Sequence, residues 1–146
     1  MMREEFFSTS ESETLLLAER FAAALPPRSV VALLGTLGAG KTLFMRGICR
    51  AFHCEAQLSS PTFSLMNIYE GELNGQAVSV HHFDLYRLES ERELEAIGFD
   101  DYLTSADLSV VEWADLFPHY KGRYTATVLL EYAGERERRI IIERGN

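Results

Sequence analysis

The chain has 146 residues, with 22 acidic against 14 basic side chains and a formal net charge of −8. Its 47% hydrophobic and 25% charged residues exclude a disordered or fibrous chain, and the length predicts one domain, residues 1–146, burying about 68–70% of its unfolded surface. The opening MMREEFFSTSES lacks the apolar segment of a secretory signal, apolar runs such as VVALL at 30–34 are too short to span a bilayer, and Cys49 and Cys54 supply neither a disulfide framework nor zinc-site spacing. The expectation is a soluble cytoplasmic protein with reduced thiols.

In chain order, Ser10-Glu-Ser-Glu13 reads as a capping box, with Ser10 as cap and Glu13 reaching back. Leu15, Ala18, Phe21, Ala22 and Leu25 then recur at helical spacing until Pro26-Pro27 stop the helix. SVVALLG at 29–35 is a continuous apolar run, as in a strand buried on both faces. A glycine-rich stretch follows, then a helix from about Lys41 to Phe52 with Phe44, Ile48 and Phe52 on one face. Residues 63–70 and 76–86 read as two strands around the turn Glu-Leu-Asn-Gly. His81 and His82, adjacent on the second strand, point to opposite faces, which favours packing or hydrogen bonding over a shared metal. Ser90-Glu-Arg-Glu93 is a second capping box, and Gly98 stops its helix. LSVVEW at 108–113 is another buried strand, and 124–132 and 138–144 predict a hairpin around Ala133-Gly134-Glu135. Strands alternating with helices, followed by a hairpin, give an α/β domain with a mixed sheet.

The charge is segregated. Residues 84–115 hold ten acids and two arginines, so this stretch carries the whole −8, and the rest of the chain balances. With only two lysines, Lys41 and Lys121, there is no basic footprint of the kind that displaces counterions from nucleic acid. The acidic stretch reads as a solvated face or as a surface meeting a basic partner.

Gly35-Thr-Leu-Gly-Ala-Gly40-Lys41-Thr42 matches G-x-x-x-x-G-K-[ST] in full. Four specified positions match by chance in roughly one chain in a few hundred of this length, and the strand before and helix after lower that further. Glycines let backbone N–H groups converge as an anion nest, and the helix adds its unsatisfied amides and positive dipole end. Lys41 sets a point charge against the outer phosphates, and the Thr42 hydroxyl can ligate Mg2+. Phosphoryl chemistry also needs a metal-side carboxylate and a group that orients the attacking water. Asp84 and Glu112, each at the end of a strand, stand where ligands of open α/β sheets bind. Trp113 reads as core or as a cover for the site, and Thr62, in Ser60-Pro-Thr-Phe63, as a switch threonine.

LGTLGAGKTLFMRG (34–47), SPTFSLMNIY (60–69), HHFDLYRL (81–88), ELEAIGFDDYL (93–103) and VVEWAD (110–115) together resemble the bacterial ATPase family TsaE, also called YjeE, which works with TsaB and TsaD in forming threonylcarbamoyladenosine beside tRNA anticodons. The resemblance implies a three-layer P-loop NTPase-like fold with a mostly parallel central sheet. It implies that Gly38, Ala39, Gly40, Lys41, Thr42 and Leu43 hold the nucleotide phosphates, with Thr42 and Glu112 on Mg2+. Asp84 takes the Walker-B-like position and helps order water, and Trp113 and Thr62 neighbour the nucleotide. Glu11 lies on the adenine side, and Arg136, in the last hairpin, approaches the nucleotide. Thr36 stands where an acid is frequent.

These readings predict a Mg2+-dependent ATPase acting on the TsaB–TsaD complex and meeting tRNA only through it, with Lys41, Asp84 and Glu112 in the chemistry. SPTFSL contains no arginine finger, a group worth about 10³–10⁵ in rate, so weak, partner-stimulated turnover is expected. The rivals are a small-molecule kinase and a non-hydrolysing ATP-dependent binding switch. A regulatory GTPase is disfavoured because no N-K-x-D motif occurs.

Overall fold

Seven strands form one sheet in a computed structural model that describes residues 2–36, 38–58 and 65–145. Their spatial order is β1 (Met2–Ser8), β7 (Arg138–Arg144), β6 (Ala126–Tyr132), β2 (Ser29–Gly35), β5 (Leu108–Glu112), β4 (Gln76–Asp84) and β3 (Met66–Leu73). The central four, β6-β2-β5-β4, are parallel, while β1, β7 and β3 pair antiparallel at the flanks. Five strands therefore point one way and β3 and β7 run against them, a mixed and mostly parallel sheet as the alternating pattern predicts.

The apolar runs of β2 and β5 are buried throughout most of their length because both faces are covered. Successive strand residues point to opposite sides. Val31, Leu33 and Val110 meet Ala18 and Phe21 of α1 (Glu11–Ala23) and Phe44, Met45 and Ile48 of α2 (Lys41–Ala51). Val30, Ala32, Phe83 and Val111 meet Leu94 of α3 (Glu91–Ala96) and Phe99 and Leu103 of α4 (Phe99–Ser105). Each large apolar side chain fully buried in these two clusters contributes about 1.5–3 kcal/mol, and the result is three layers. Close contact between α1 and α2 depends on Gly47. A Cβ there would lie 2.5 Å from the Ala18 Cβ and 2.7 Å from the Leu15 carbonyl oxygen, so the usual helix advantage of Ala, about 1 kcal/mol, gives way to sterics. No helix among the described residues is long and apolar enough to cross a membrane.

Local signals hold with small differences. Ser10 Oγ caps α1 by accepting the Glu13 N–H at 3.1 Å, while the Glu13 carboxylate accepts from the Thr9 N–H at 2.8 Å and the Thr9 hydroxyl at 3.0 Å. Those bonds favour the ionised form and hold the Glu13 carboxyl below its ordinary value. The second box is half made: Glu93 accepts the Glu89 N–H at 2.8 Å, but Ser90 makes no side-chain cap bond. Gly98, at φ 75°, stops α3 as expected and also caps the start of α4, a helix that the sequence reading did not anticipate. β1 is a strand that periodicity did not announce, because MREEFFS mixes charge and apolar residues on both sides. Ion pairs tie it to its neighbour, Glu5 to Arg139, Arg3 to Glu143 and Glu4 to Arg144. His81 and His82 do face opposite layers. The first part of the strand expected over 63–70 lies outside the described residues.

Candidate functional site

Parallel register assembles one edge of the sheet. Leu33 of β2 lies beside Glu112 of β5, and Glu112 lies beside Asp84 of β4. Since β2 runs straight into the glycine-rich loop, the loop and both acids converge where the three strands end. Gly40, at φ 106°, stands at the cap of α2 with no side-chain bond to the helix. Phe44 is the first residue whose N–H is taken up by the helix, donating to the Gly40 carbonyl at 2.9 Å. The amides of Lys41, Thr42 and Leu43 therefore have no acceptor within the helix.

These residues open onto a cavity of about 880 Å³, within the range of small-ligand sites. Gly38, Gly40, Lys41, Thr42 and Leu43 line it together with Asp84, Glu112, Trp113, Glu11 and Arg136. The fold thus gathers the residues nominated from sequence, with two exceptions. Ala39 is buried, its N–H donates to the Thr36 carbonyl at 3.1 Å, and it shapes the loop without lining the cavity. Thr62 lies outside the described residues.

Lys41 is the electrostatic centre. It is only 6% exposed, and among the described residues its buried Nζ has no hydrogen-bond partner. The Trp113 ring centroid lies 3.9 Å from Nζ. Burial pushes the ammonium below its ordinary value, opposed by the charges of Glu112, Asp84 and Asp115. A buried ammonium without an acceptor is costly, and an anion entering the cavity would supply one. Trp113 is held in position by its backbone, at φ 58°, a left-handed conformation that costs a non-glycine residue roughly 1–2 kcal/mol. It packs against the core cluster on the α3 and α4 face of the sheet, and the Tyr86 ring centroid is 4.8 Å away.

Asp84 accepts the Tyr86 N–H on Oδ1 at 3.0 Å. Glu112 Oε2 lies 2.6 Å from His82 Nε2, and His82 Nδ1 lies 3.0 Å from the Tyr69 hydroxyl. No group of three or more His, Cys, Asp or Glu that could hold a metal occurs among the described residues. The hydroxyl of Thr42 and the carboxylate of Glu112 nonetheless fit Mg2+, a hard cation that takes oxygen ligands and is usually held by one or two carboxylates with phosphate and water completing the shell.

Sequence reasoning did not find the hairpin's grip on the loop. Arg138 Nε donates to the Ala39 carbonyl at 3.2 Å, its Nη1 donates to the Glu137 carbonyl at 2.8 Å, and its guanidinium lies 4.4 Å from the Tyr132 ring. A Cβ on Gly38, at φ 81°, would meet the Tyr132 hydroxyl at 2.6 Å. Arg136, nominated from the same hairpin, lines the cavity together with Arg138. Arg138→Leu is expected to weaken nucleotide binding about fivefold to tenfold, the equivalent of one partly exposed charge-assisted hydrogen bond. Titration calorimetry checks this, with the melting temperature reporting the fold.

The family described as "Threonylcarbamoyl adenosine biosynthesis protein TsaE" matches residues 8–141. The tRNA threonylcarbamoyladenosine biosynthesis protein TsaE of Rickettsia bellii is 38% identical over 120 residues, covering 82% of this chain and 80% of that protein. The protein of the same name from Bacillus subtilis is 31% identical over 140 residues, covering 96% of this chain and 85% of its own. The crystal structure of Bacillus subtilis YdiB superposes with a TM-score of 0.73 at 25% identity, over 99% of this chain and 87% of that one. Matched from the end of β1 into β7, and sharing its fold with a solved structure across nearly its whole length, the chain belongs to the TsaE family.

Proposed function

We propose that the protein is a Mg2+-dependent ATPase that supports tRNA threonylcarbamoyladenosine formation by acting on the TsaB–TsaD complex in the cytoplasm, meeting tRNA only through that complex. The observation that carries this reading is the buried Lys41 Nζ with no acceptor, at the start of α2 and beside two strand-end carboxylates. Lys41 and the amides from Gly40 to Leu43 bind the outer phosphates and stabilise the charge that develops on the transferring group. Thr42 and Glu112 hold Mg2+, which when bound neutralises phosphate charge. Asp84 orients the attacking water. Glu11 serves the adenine side, Arg136 approaches the nucleotide, and Thr62 acts as the switch threonine that the sequence suggests.

Arg138 is engaged with the Ala39 and Glu137 carbonyls, and SPTFSL has no arginine. Turnover by the isolated protein is therefore expected to be slow, and the purified TsaB–TsaD complex to raise it at least about tenfold, a fraction of what a charge supplied in trans can give. Phosphate release from ATP, measured with and without that complex, tests the proposal; equal rates would overturn the coupling. A partner can be driven by hydrolysis only if it binds the ATP and ADP forms differently, so its affinity for the two forms should differ as well.

One observation favours a second reading. A neighbouring cavity of about 690 Å³ shares Thr42, Arg46 and Glu112 with the first, and an acceptor hydroxyl seated there would make the protein a small-molecule kinase. A phosphorylated acceptor in place of free phosphate would establish that reading.

A further inference from the structure

Glu112 is the last residue of β5 and precedes a left-handed turn, so its backbone supplies little beyond the direction of its side chain. Three torsions remain, and an unheld glutamate occupies several rotamers. Its carboxylate is nevertheless fixed from the adjacent strand. His82, 3% exposed, lies in β4 two residues before Asp84, and its Nε2 is 2.6 Å from Glu112 Oε2. A carboxylate has no proton to give, so Nε2–H is the donor. Nδ1, on the other side of the ring, lies 3.0 Å from the Tyr69 hydroxyl, and the two share a hydrogen bond. Tyr69, on β3, is 2% exposed. A buried chain therefore runs from the outermost strand to the acid at the cavity wall, and it commits one Glu112 oxygen to the protein interior.

Stability alone is a poor reason for such a chain. An imidazole and a phenol hydroxyl buried in the layer shared with α2 lose hydration that a leucine or phenylalanine would never have had, and their mutual bonds return only part of it. Aiming a charge is a better one, because a carboxylate that ligates a metal is itself held by hydrogen bonds.

We propose that His82 is a positioning residue: through Tyr69–His82–Glu112 it fixes the rotamer of the magnesium-side carboxylate, so that Oε1 is presented toward Thr42. This rests on the Mg2+–nucleotide reading given above. Its consequence is a separation of effects. Loss of the chain should weaken the contribution of Mg2+ to nucleotide binding and leave the metal-free contribution of Lys41 and the loop amides intact.

The test is calorimetric titration of a non-hydrolysable ATP analogue into parent, His82→Leu, His82→Gln, Tyr69→Phe and Lys41→Ala, with Mg2+ and with EDTA, alongside melting curves. His82→Leu is expected to bind the analogue in EDTA as the parent does and to lose about tenfold of the gain that Mg2+ confers, the equivalent of one charge-assisted hydrogen bond. His82→Gln, whose amide nitrogen can stand in for Nε2, should recover most of that gain, and Tyr69→Phe should lose about threefold, within the net range of a neutral bond. A folded His82→Leu variant that keeps the parent's Mg2+ gain overturns the proposal, as does a glutamine variant no better than leucine. Should His82→Leu fail to fold, Tyr69→Phe decides, since it deletes a single oxygen and an unchanged Mg2+ gain overturns the chain. A parent that binds no analogue and behaves like Lys41→Ala sinks the nucleotide reading and this proposal together; a parent that binds with a Mg2+ gain indifferent to His82 sinks only the proposal.

Discussion

Lys41→Met is expected to weaken ATP binding by more than about 100-fold, abolish phosphate release, and make the nucleotide-free protein more stable. The loss follows from charge-assisted bonds worth about 1.5–3 kcal/mol each, which the buried Nζ is placed to give and methionine cannot. The gain follows from the same placement. Leaving a buried polar group unpaired costs about 1–3 kcal/mol, or more for a charged one. The Trp113 ring, 3.9 Å from Nζ, returns about 1–2 kcal/mol. Methionine keeps most of the stem's packing, so a net gain near 1 kcal/mol, or about 2–4 °C in Tm, is expected. The sign with pH can be worked out. Burial lowers the Lys41 pKa in the folded state, so the unfolded chain binds that proton more tightly. The folded-state penalty is fully present below the folded pKa and fades as pH rises toward the unfolded value of about 10.4. The stability advantage of Lys41→Met should therefore shrink through the alkaline range. Scanning calorimetry across pH and titration calorimetry with Mg·ATP check both halves, and a methionine variant that binds like the parent would end the anion-site reading.

How much was legible depends on how local the cause is. SVVALLG and LSVVE are strands in the centre of the sheet because continuous apolar runs suit positions covered on both faces. The glycine-rich loop was legible for a related reason: glycines, one lysine and one threonine at fixed offsets between a strand and a helix make a recognisable pattern. Its meeting with Asp84 and Glu112 was legible too, because strand-end acids in a parallel sheet collect at one edge. β1 was not, since MREEFFS has no alternation of its own and is held by Glu5, Arg3 and Glu4 reaching basic and acidic partners on β7. The His82–Glu112 contact spans 30 positions and the Arg138–Ala39 contact 99. Nothing near either residue marks its partner; the pairing exists only once β4 lies beside β5 and the last hairpin reaches the loop. Adjacent histidines on a strand did announce opposite faces, which is why one of them could be buried toward Glu112 while His81 donates from Nδ1 to the Tyr102 carbonyl at 3.1 Å.

Asp84→Asn is expected to separate binding from hydrolysis. Asp84 ends β4 beside Glu112 and accepts the Tyr86 N–H on Oδ1. Tyr86 packs on Trp113, and Trp113 packs on Lys41, so truncation to alanine would disturb a stacked row that reaches Lys41. Asparagine keeps the shape and the acceptor oxygen, and removes only the negative charge. Affinity for Mg·ATP should then stay within about threefold of the parent, because Lys41, Thr42 and Glu112 are untouched, whereas phosphate release in a single turnover should fall by about 10²–10³, the usual worth of a group that orients or deprotonates an attacking water. Adding TsaB–TsaD extends the comparison. If ATP drives the partner through hydrolysis, the asparagine variant binds the complex yet fails to support repeated rounds of tRNA modification, since no ADP form follows. If occupancy alone suffices, hydrolysis is lost while modification proceeds at the parent's rate, and the protein acts as a binding switch whose hydrolysis is incidental.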